Sequence, residues 1–259
     1  MSILEELAGA AAARAASDKR RTPVFERFPE AVPFAFEDAL RSDGVSFICE
    51  VKRASPSCGV IAQDFPHLQV AEEYEAAGAS CISVLTEPSR FLGSDEHLAG
   101  IRDRVSVPLL RKDFTVDPYQ IYQARAMGAD AVLLICAILG EGRVREYLET
   151  ADSLGLSCIV EAHDEGEVEA ALRAGARVVG VNNRDLRTFR VDLRNSIRLR
   201  RLVPEEVLFV SESGISSAED VRLLAENGVD AVLIGESLMR HADKKAFLDE
   251  LRGGCHGED

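Results

Sequence analysis

Basic residues are scarce in this 259-residue chain, and long apolar runs are missing from it. Lys and Arg number 30 against 44 Asp and Glu, so the formal net charge is −14 at pH 7. A surface of this sign repels phosphate backbones and anionic lipids, which argues against nucleic acid or membrane as the main partner. No apolar stretch approaches the roughly 18 residues that a membrane-spanning helix needs. An anionic small molecule is still compatible with the charge, because a local cluster of cations can outweigh the overall field.

Paired cysteines and grouped histidines are also missing. None of the six cysteines shows C-x-x-C spacing, and four lie in apolar runs, which predicts reduced core thiols in a cytoplasmic protein. Cys58 is the exception, in a polar turn. The histidines lack ligand spacing, and neither a dinucleotide-binding nor a Walker motif occurs, so no metal or cofactor is expected. Glu5 and Glu6 stand where a signal peptide would be positive, which indicates an amphipathic helix instead.

A repeat of about fifty residues runs through the chain. Four segments share a helix tail, a glycine, two or three linking residues and an apolar run: EYEAAGASCISVLTE, ARAMGADAVLLICA, ALRAGARVVGVNN and LAENGVDAVLIGES. Their glycines, at positions 78, 128, 175 and 228, are 50, 47 and 53 residues apart. Glycine just past a helix end is the expected left-handed cap. A period of this length indicates repeated structural units.

Four further apolar runs, at 47–52, 107–114, 156–163 and 207–214, alternate with those of the repeat. All eight are continuous, as expected of parallel strands covered on both faces, and helical patterns separate them. We therefore predict an α/β fold, a (β/α)8 TIM barrel at 46–252. A helical extension at 1–45 would pack on it, and a tail would occupy 253–259. A doubly wound sheet is the alternative, but it rarely needs eight strands at such regular spacing.

Every odd-numbered predicted strand carries an ionisable residue near its carboxyl end. Glu50 and Lys52 end strand one, Lys112 ends strand three, Glu161 strand five and Glu212 strand seven. Barrel enzymes react at this end, and alternate strands contribute side chains to the same interior layer. These lysines and glutamates are therefore expected at one mouth, where coupled charges in a partly dry cavity shift one another's pKa values. A salt-bridge ring with a purely structural role is the alternative.

The even-numbered strands and the last two loops add polar groups suited to an anion. Asn182 and Arg184 follow strand six, and the arginine fork suits a carboxylate, although a surface ion pair with Asp185 or a neighbour is the alternative. SESGIS (211–216) and IGESLM (234–239) combine glycine with hydroxyl residues at helix starts. Backbone N–H groups there bind phosphate, and these two loops are the usual phosphate site of a (β/α)8 barrel. Ser55 of the first loop is expected near the same ligand.

The chain resembles the indole-3-glycerol phosphate synthase family of tryptophan biosynthesis over about residues 30–252. The resemblance rests on six motifs in the same order: CEVKRASPSCG, PLLRKDF, VEAH, GVNNRDL, SESGI and IGESLM. It implies a lyase that closes the indole ring of 1-(2-carboxyphenylamino)-1-deoxyribulose 5-phosphate, with loss of CO2 and water. One departure is Cys58, since the family commonly carries a cationic residue at that point of the turn.

The resemblance also implies roles for the matching residues. Lys112 would be the general acid at the ketone oxygen and Glu161 the base in the elimination of water, while Lys52 would assist at the carboxylate and the leaving hydroxyl. Glu50 and Glu212 would orient the lysines and the substrate hydroxyls. The remaining substrate-binding positions would be Asn182 at a hydroxyl, Arg184 at the carboxylate, Phe114, Leu133 and Leu186, and, at the phosphate, Ser55, Ser213, Gly214, Gly235 and Glu236.

Two other functions fit parts of the pattern. Another phosphosugar barrel enzyme, phosphoribosylanthranilate isomerase, would need a Cys–Asp acid–base pair at strand ends. Cys49 precedes Glu50, however, and by alternation should point the opposite way. A non-catalytic phosphate-binding barrel would keep the glycine loops but lose the charges at the mouth, which this chain retains. The acidic surface favours a monomer or a weak homo-oligomer.

Overall fold

Eight parallel strands close into a barrel in the computed structural model, which describes residues 2–23, 28–185 and 188–253. Each strand pairs with its neighbours in the chain, and strand eight closes the ring by pairing with strand one. The barrel strands, numbered one to eight, are Ser46–Val51, Cys81–Leu85, Leu109–Lys112, Ala131–Ile135, Ser157–Ala162, Val178–Asn182, Leu208–Glu212 and Ala231–Ile234. The predicted (β/α)8 barrel is confirmed.

Helices alternate with the strands. Those after strands one to seven are His67–Ala76, Asp95–Arg102, Tyr119–Ala126, Cys136–Ser153, Glu165–Ala174, Arg194–Arg200 and Ala218–Glu226. In the part of the chain that the structure describes, strand eight is followed by Glu236–Arg240 and Lys244–Gly253. The four repeat glycines all have φ between 76° and 98°. This left-handed backbone disfavours residues with a side chain, so each glycine ends its helix as predicted. A small hairpin of Ala54–Ser55 and Gly59–Val60 lies in the loop after strand one.

Within the described residues, two helices precede strand one, Ile3–Arg21 and Ala35–Leu40. The second buries Phe36 and Leu40 among the inward-facing side chains of the strands. The hydroxyl of Ser46, the first residue of strand one, lies 3.4 Å from two carbonyl oxygens of this helix segment. The helix therefore covers the barrel at the end where the strands begin. The boundaries of the predicted extension and tail stay predictions, and residues 254–259 lie outside the described residues.

The strands end one or two residues earlier than the apolar runs predicted. Strands one, three, five and seven end at residues 51, 112, 162 and 212 rather than at 52, 114, 163 and 214. Polar residues and glycine take over at these points, and their backbone leaves the strand ladder to form loops. Lys52 therefore lies just past its strand, whereas Lys112 and Glu212 are the last residues of theirs.

Buried apolar side chains form two layers. One layer lies between the strands and the helices and includes Cys49 and Val51, whereas the other fills the barrel interior and includes Ile48. Successive side chains of a strand point to opposite faces, so Glu50 shares the inward direction of Ile48. This alternation directs the ionisable residues of the odd-numbered strands into the mouth of the barrel.

Candidate active site

A cavity of about 450 Å³ opens at the carboxyl end of the barrel. It is lined by all but one of the predicted site residues: Glu50, Lys52, Ser55, Lys112, Phe114, Leu133, Glu161, Asn182, Arg184, Glu212, Ser213, Gly214, Gly235 and Glu236. The remaining one, Leu186, lies outside the described residues. The volume is in the range of cavities that enclose a small-molecule ligand.

Lys112 lies between two carboxylates. Its Nζ is 3.0 Å from Glu161 Oε2 and 2.8 Å from Glu212 Oε2, and none of the three side chains is more than 12% exposed. Burial by itself would lower the pKa of Lys112, but the charges of Glu161, Glu212 and Glu50 outweigh burial and raise that pKa above its ordinary value. Lys112 is therefore an ammonium ion at neutral pH.

The pKa values of the two carboxyl groups beside Lys112 shift in opposite directions. Burial would raise the pKa of either, but at Glu161 the charges of Lys112 and His163 prevail and hold the pKa below its ordinary value. At Glu212, burial together with repulsion from Glu161 and Glu50 prevails over Lys112, and the pKa rises to about 7. The Oε1 atom of Glu212 is buried and has no hydrogen-bond partner in the described part of the chain. One ammonium thus serves two carboxyl groups, of which Glu161 is the more acidic.

We expect Glu212→Gln to change the pH dependence of stability. The pKa of this carboxyl rises from its ordinary 4.5 to about 7, so between these values the folded protein holds a proton that the unfolded chain has released. As pH rises through this interval, Glu212 should lower the free energy of unfolding of the wild type by on the order of 2 kcal/mol. The variant should not show this decrease. Urea unfolding on both sides of the interval measures it, with the exposed Glu205→Gln as control. An unaltered pH profile in Glu212→Gln would contradict the raised pKa.

A second ion pair lies at the end of strand one. Glu50 Oε1 is 2.6 Å from Lys52 Nζ. The pair packs against Gly235, where an added Cβ would clash with Glu50 Oε1 and lie 2.8 Å from Lys52 Nζ. A side chain at position 235 would therefore displace the charged ends of Glu50 and Lys52. The loop after strand eight thus contacts the strand-one ion pair directly.

The two predicted phosphate loops offer their N–H groups differently. Ser213 and Gly214 both have positive φ, 70° and 86°, and form a turn. The helix after that turn begins with a capping box, in which the N–H groups of Ser217 and Asp220 each bond to the other residue's side chain. The helix after strand eight begins instead at Glu236, without a side-chain cap. The loop after strand seven therefore presents a turn, whereas the loop after strand eight leads directly into a helix without a side-chain cap. That these two loops bind phosphate stays a prediction.

Arg184 and Glu236 meet at the cavity wall. Arg184 Nη2 is 4.0 Å from Glu236 Oε2, and Arg184 Nη1 donates a hydrogen bond to the carbonyl oxygen of Phe189. Glu236 also accepts from Cys58 Sγ at 3.0 Å and from Arg240 Nε at 3.2 Å. Two arginines thus offset the Glu236 carboxylate in a region expected to bind an anion. The contact with Cys58 joins the loop after strand one to the helix after strand eight.

Some residues at the site could not be predicted from sequence. The N-terminal helix contributes Ile3, Leu4 and Leu7 to the cavity wall, and the ring of Phe91 lies 6.4 Å from that of Phe114. Spacing along the chain provides no signal for a contact between the first turn of the chain and a barrel mouth. The structure therefore adds an apolar wall to a site predicted mainly from its charges.

Asn183 is a second residue that the sequence did not single out. Its side chain is buried, and its Nδ2 donates hydrogen bonds to Ser211 Oγ and to the carbonyl oxygens of Glu212 and Ser213. The Oδ1 atom accepts from the hydroxyl of Ser196 at 2.8 Å. Asn183 therefore fastens the loop after strand six to the end of strand seven. Its place in GVNNRDL, next to Asn182, was the available signal.

The described residues contain five free cysteines, of which four are buried. Within the same residues, no group of three or more His, Cys, Asp or Glu side chains is arranged to hold a metal ion. None of the described helices is both long enough and apolar enough to cross a membrane.

Comparison with known sequences identifies one family. Residues 8–251 match the family model described as indole-3-glycerol phosphate synthase. The chain is 60% identical over 223 residues to the protein of that name from Ruminiclostridium cellulolyticum, and the match covers 86% of each chain. It is 56% identical over 218 residues to the protein of that name from Endomicrobium trichonymphae, which covers 84% of each chain.

Comparison with solved structures shows the fold. Thiamine phosphate pyrophosphorylase from Pyrococcus furiosus superposes with a TM-score of 0.62 at 19% identity, over 83% of this chain and 97% of that one. Barrels of one shape host many unrelated reactions, so this likeness bears on architecture alone. The sequence matches are far closer and span the strands that deliver Lys112, Glu161 and Glu212 to the cavity. By that evidence the chain belongs to the indole-3-glycerol phosphate synthase family.

Proposed function

We propose that this protein closes the indole ring of 1-(2-carboxyphenylamino)-1-deoxyribulose 5-phosphate to form indole-3-glycerol phosphate, with loss of CO2 and water. It would act as a carboxy-lyase of tryptophan biosynthesis. The observation that carries the proposal is the position of Lys112 between Glu161 and Glu212, in a cavity that also holds the Glu50–Lys52 pair. Membership of the family supports the same reaction.

The groups that line the cavity suit the three parts of this substrate. We infer that the substrate carboxylate binds Lys52 and Arg184, because both are cations and the guanidinium can bind two oxygens at once. The aromatic ring would lie against Phe114 and Leu133. The phosphate would accept hydrogen bonds from backbone N–H groups of the last two loops, at Ser213, Gly214, Gly235 and Glu236, with Ser55 nearby.

Lys112 would supply the proton for ring closure. The ring carbon that bears the carboxylate attacks the ketone carbon, so a C–C bond forms while the C=O π bond breaks. The ketone oxygen then gains negative charge, and the Lys112 ammonium donates a proton to it. CO2 departs next, and the electrons of the broken C–C bond restore the aromatic ring. Lys52, which is paired with Glu50 just past strand one, would bind that carboxylate.

Glu161 would act as the base when water leaves. The hydroxyl formed from the ketone oxygen would take a proton from Lys52 and depart as water with the electrons of its C–O bond. Glu161 would take a proton from the neighbouring ring carbon, and the electrons of that C–H bond form the ring double bond. Lys112 is the charge that most strongly lowers the pKa of Glu161, so proton donation by Lys112 raises the proton affinity of Glu161 for the following step. Lys52 would assist the leaving hydroxyl, while Glu212 and Asn182 would bind the substrate hydroxyls.

Turnover of the substrate tests the function. We expect the purified protein to release CO2 and an indole product in equal amounts. The chain contains no tryptophan, so indole fluorescence reports the product without a background from protein indole. A protein that bound inorganic phosphate but formed no indole would instead be a phosphate-binding barrel without this activity.

The isomerase alternative has no support at the mouth of the barrel. Cys49 is 1% exposed and lies in the apolar layer between strands and helices, not in the cavity. Burial raises the pKa of this thiol to about 12. Cys49 is therefore in no position to act as an acid or base on a substrate bound beside Lys112.

We further propose a cytoplasmic protein that acts on a small molecule, does not bind nucleic acid, and is a monomer or a weak homo-oligomer. The net charge of −14 and the free thiols support these points. Sedimentation at increasing protein concentration tests the oligomeric state, and a stable dimer at low concentration would contradict it.

A further inference from the structure

His163 lies behind Glu161. It directly follows strand five, and it does not line the cavity, whereas Glu161 does. His163 Nε2 is 3.3 Å from Glu161 Oε1, and the other oxygen of the same carboxylate is 3.0 Å from Lys112 Nζ. Glu161 is therefore held between a lysine on the cavity side and a histidine on the far side.

The other nitrogen of this imidazole faces Glu167. Nδ1 is 3.1 Å from Glu167 Oε2, and the same oxygen accepts the backbone N–H of His163 at 2.8 Å. Glu167 lies in the first turn of helix Glu165–Ala174, where its N–H is bonded to the capping side chain of Asp164. A neutral imidazole can donate from only one nitrogen, so a ring with a carboxylate at each nitrogen favours the doubly protonated cation.

The groups around His163 reinforce this charge. Burial would lower the pKa of His163, but its contacts with Glu161 and Glu167 outweigh burial and raise that pKa to about 10. Nε2 is buried and has no hydrogen-bond partner among the described residues, and it lies in ion-pair contact with Glu161. The Cys136 thiol lies within the electrostatic reach of the same two carboxylates and of Asp164. Asn195, on the helix Arg194–Arg200, donates from its side chain to the His163 carbonyl oxygen.

We propose that His163 is a positioning residue for the ring-closing reaction and that Glu167 keeps it charged. The proposal rests on the proposed role of Glu161 as the base. When Lys112 gives its proton to the substrate, Glu161 loses one of its two neighbouring cations. His163 then keeps the carboxylate ionised and holds Oε1 in place, so that Oε2, on the Lys112 side, is the atom that takes the proton.

The pH profiles of two variants test the proposal. His163→Gln should lower kcat by about tenfold at every pH and leave KM within about twofold, because the charge acts on the base and not on bound substrate. Glu167→Gln removes one of the two carboxylates that keep His163 charged. The kcat of Glu167→Gln should match that of the wild type at low pH. It should fall to the His163→Gln level as rising pH removes the proton from the His163 imidazolium. A purely structural contact would not create this new alkaline limb.

The double variant and a matched control make the test specific. His163→Gln/Glu167→Gln should show no alkaline limb and no loss beyond His163→Gln alone. Glu165→Gln, on the same helix turn but paired with Arg198, should behave as the wild type. Full kcat in His163→Gln, or an unchanged profile in Glu167→Gln, would overturn the proposal. If His163→Gln does not fold, the Glu167→Gln profile decides.

Nuclear magnetic resonance of the histidine ring nitrogens gives a readout that needs no turnover. The His163 signals, assigned by their loss in His163→Gln, should show a doubly protonated ring at neutral pH, with deprotonation at lower pH in Glu167→Gln than in the wild type. A neutral His163 ring at pH 7 would overturn the proposal even if the enzyme is active. Absence of wild-type turnover would instead refute the proposed function, with the ring titration still measurable.

Discussion

Lys112→Arg is expected to lower kcat by about 10²–10⁴-fold while the protein stays folded. The guanidinium keeps a positive charge between Glu161 and Glu212, so neither buried carboxylate loses its partner. It holds its proton too tightly to donate it, however, so the ketone oxygen is left without an acid. Initial rates of indole fluorescence and of CO2 release should fall together, because ring closure precedes both products.

Lys112→Met removes both the positive charge and the proton, whereas Lys112→Arg keeps the charge. The Lys112→Met variant should lose a similar factor in kcat and, in addition, about 3–5 kcal/mol of unfolding free energy, since the buried Glu212 is left without a cation and Glu161 keeps only His163. Lys245→Arg, at an exposed lysine paired with Asp249, serves as the control and should change neither quantity. If Lys112→Arg retained kcat within about threefold of the wild type, Lys112 would not be the general acid.

Glu161→Gln is expected to lower kcat by about 10²–10⁴-fold with KM nearly unchanged. The amide keeps the shape of the carboxylate but cannot take a proton, and Lys112 still has Glu212 as its partner. Because Glu161 would act after CO2 has left, the first turnover should release CO2 faster than it forms indole. Mixing excess enzyme with substrate and following both products in time measures this delay.

The delay distinguishes the two proposed roles. In Lys112→Arg both products should be slow, whereas in Glu161→Gln only indole should be slow. Glu165→Gln, an exposed glutamate at the start of the next helix, is the matched control and should show no delay. Simultaneous slow release of CO2 and indole in Glu161→Gln would place Glu161 in ring closure, and the proposed division of roles would be wrong.

Local features of the chain were sufficient for the barrel. Gly78, Gly128, Gly175 and Gly228 mark helix ends because left-handed backbone disfavours other residues, and all four have that backbone. Continuous apolar runs indicated strands covered on both faces, and eight such strands form the closed sheet. The strand ends were one or two residues off, since an apolar run does not show where the backbone leaves the ladder.

Much of the cavity wall was also predictable, but its apolar part was not. The charged residues follow strand ends, and parallel strands bring those ends to one mouth, so Glu50, Lys112 and Glu161 could be grouped from their positions alone. Leu4 and Leu7 line the same cavity but belong to the N-terminal helix Ile3–Arg21. Only the packing of a helix that precedes the barrel puts them there, and no spacing rule encodes that packing.

Amino-acid order specified the direction of the reactive side chains. Side chains along a strand alternate between the barrel interior and the helix layer, and the apolar neighbours show which residues face the interior. Amino-acid order did not specify the pairing. Lys112 contacts Glu161 and Glu212, which lie 49 and 100 positions away, while Glu50 pairs with Lys52. Such contacts depend on side-chain rotamers and loop paths within a few ångströms, as does the placement of His163 between Glu161 and Glu167. Those distances exist only once the barrel has closed.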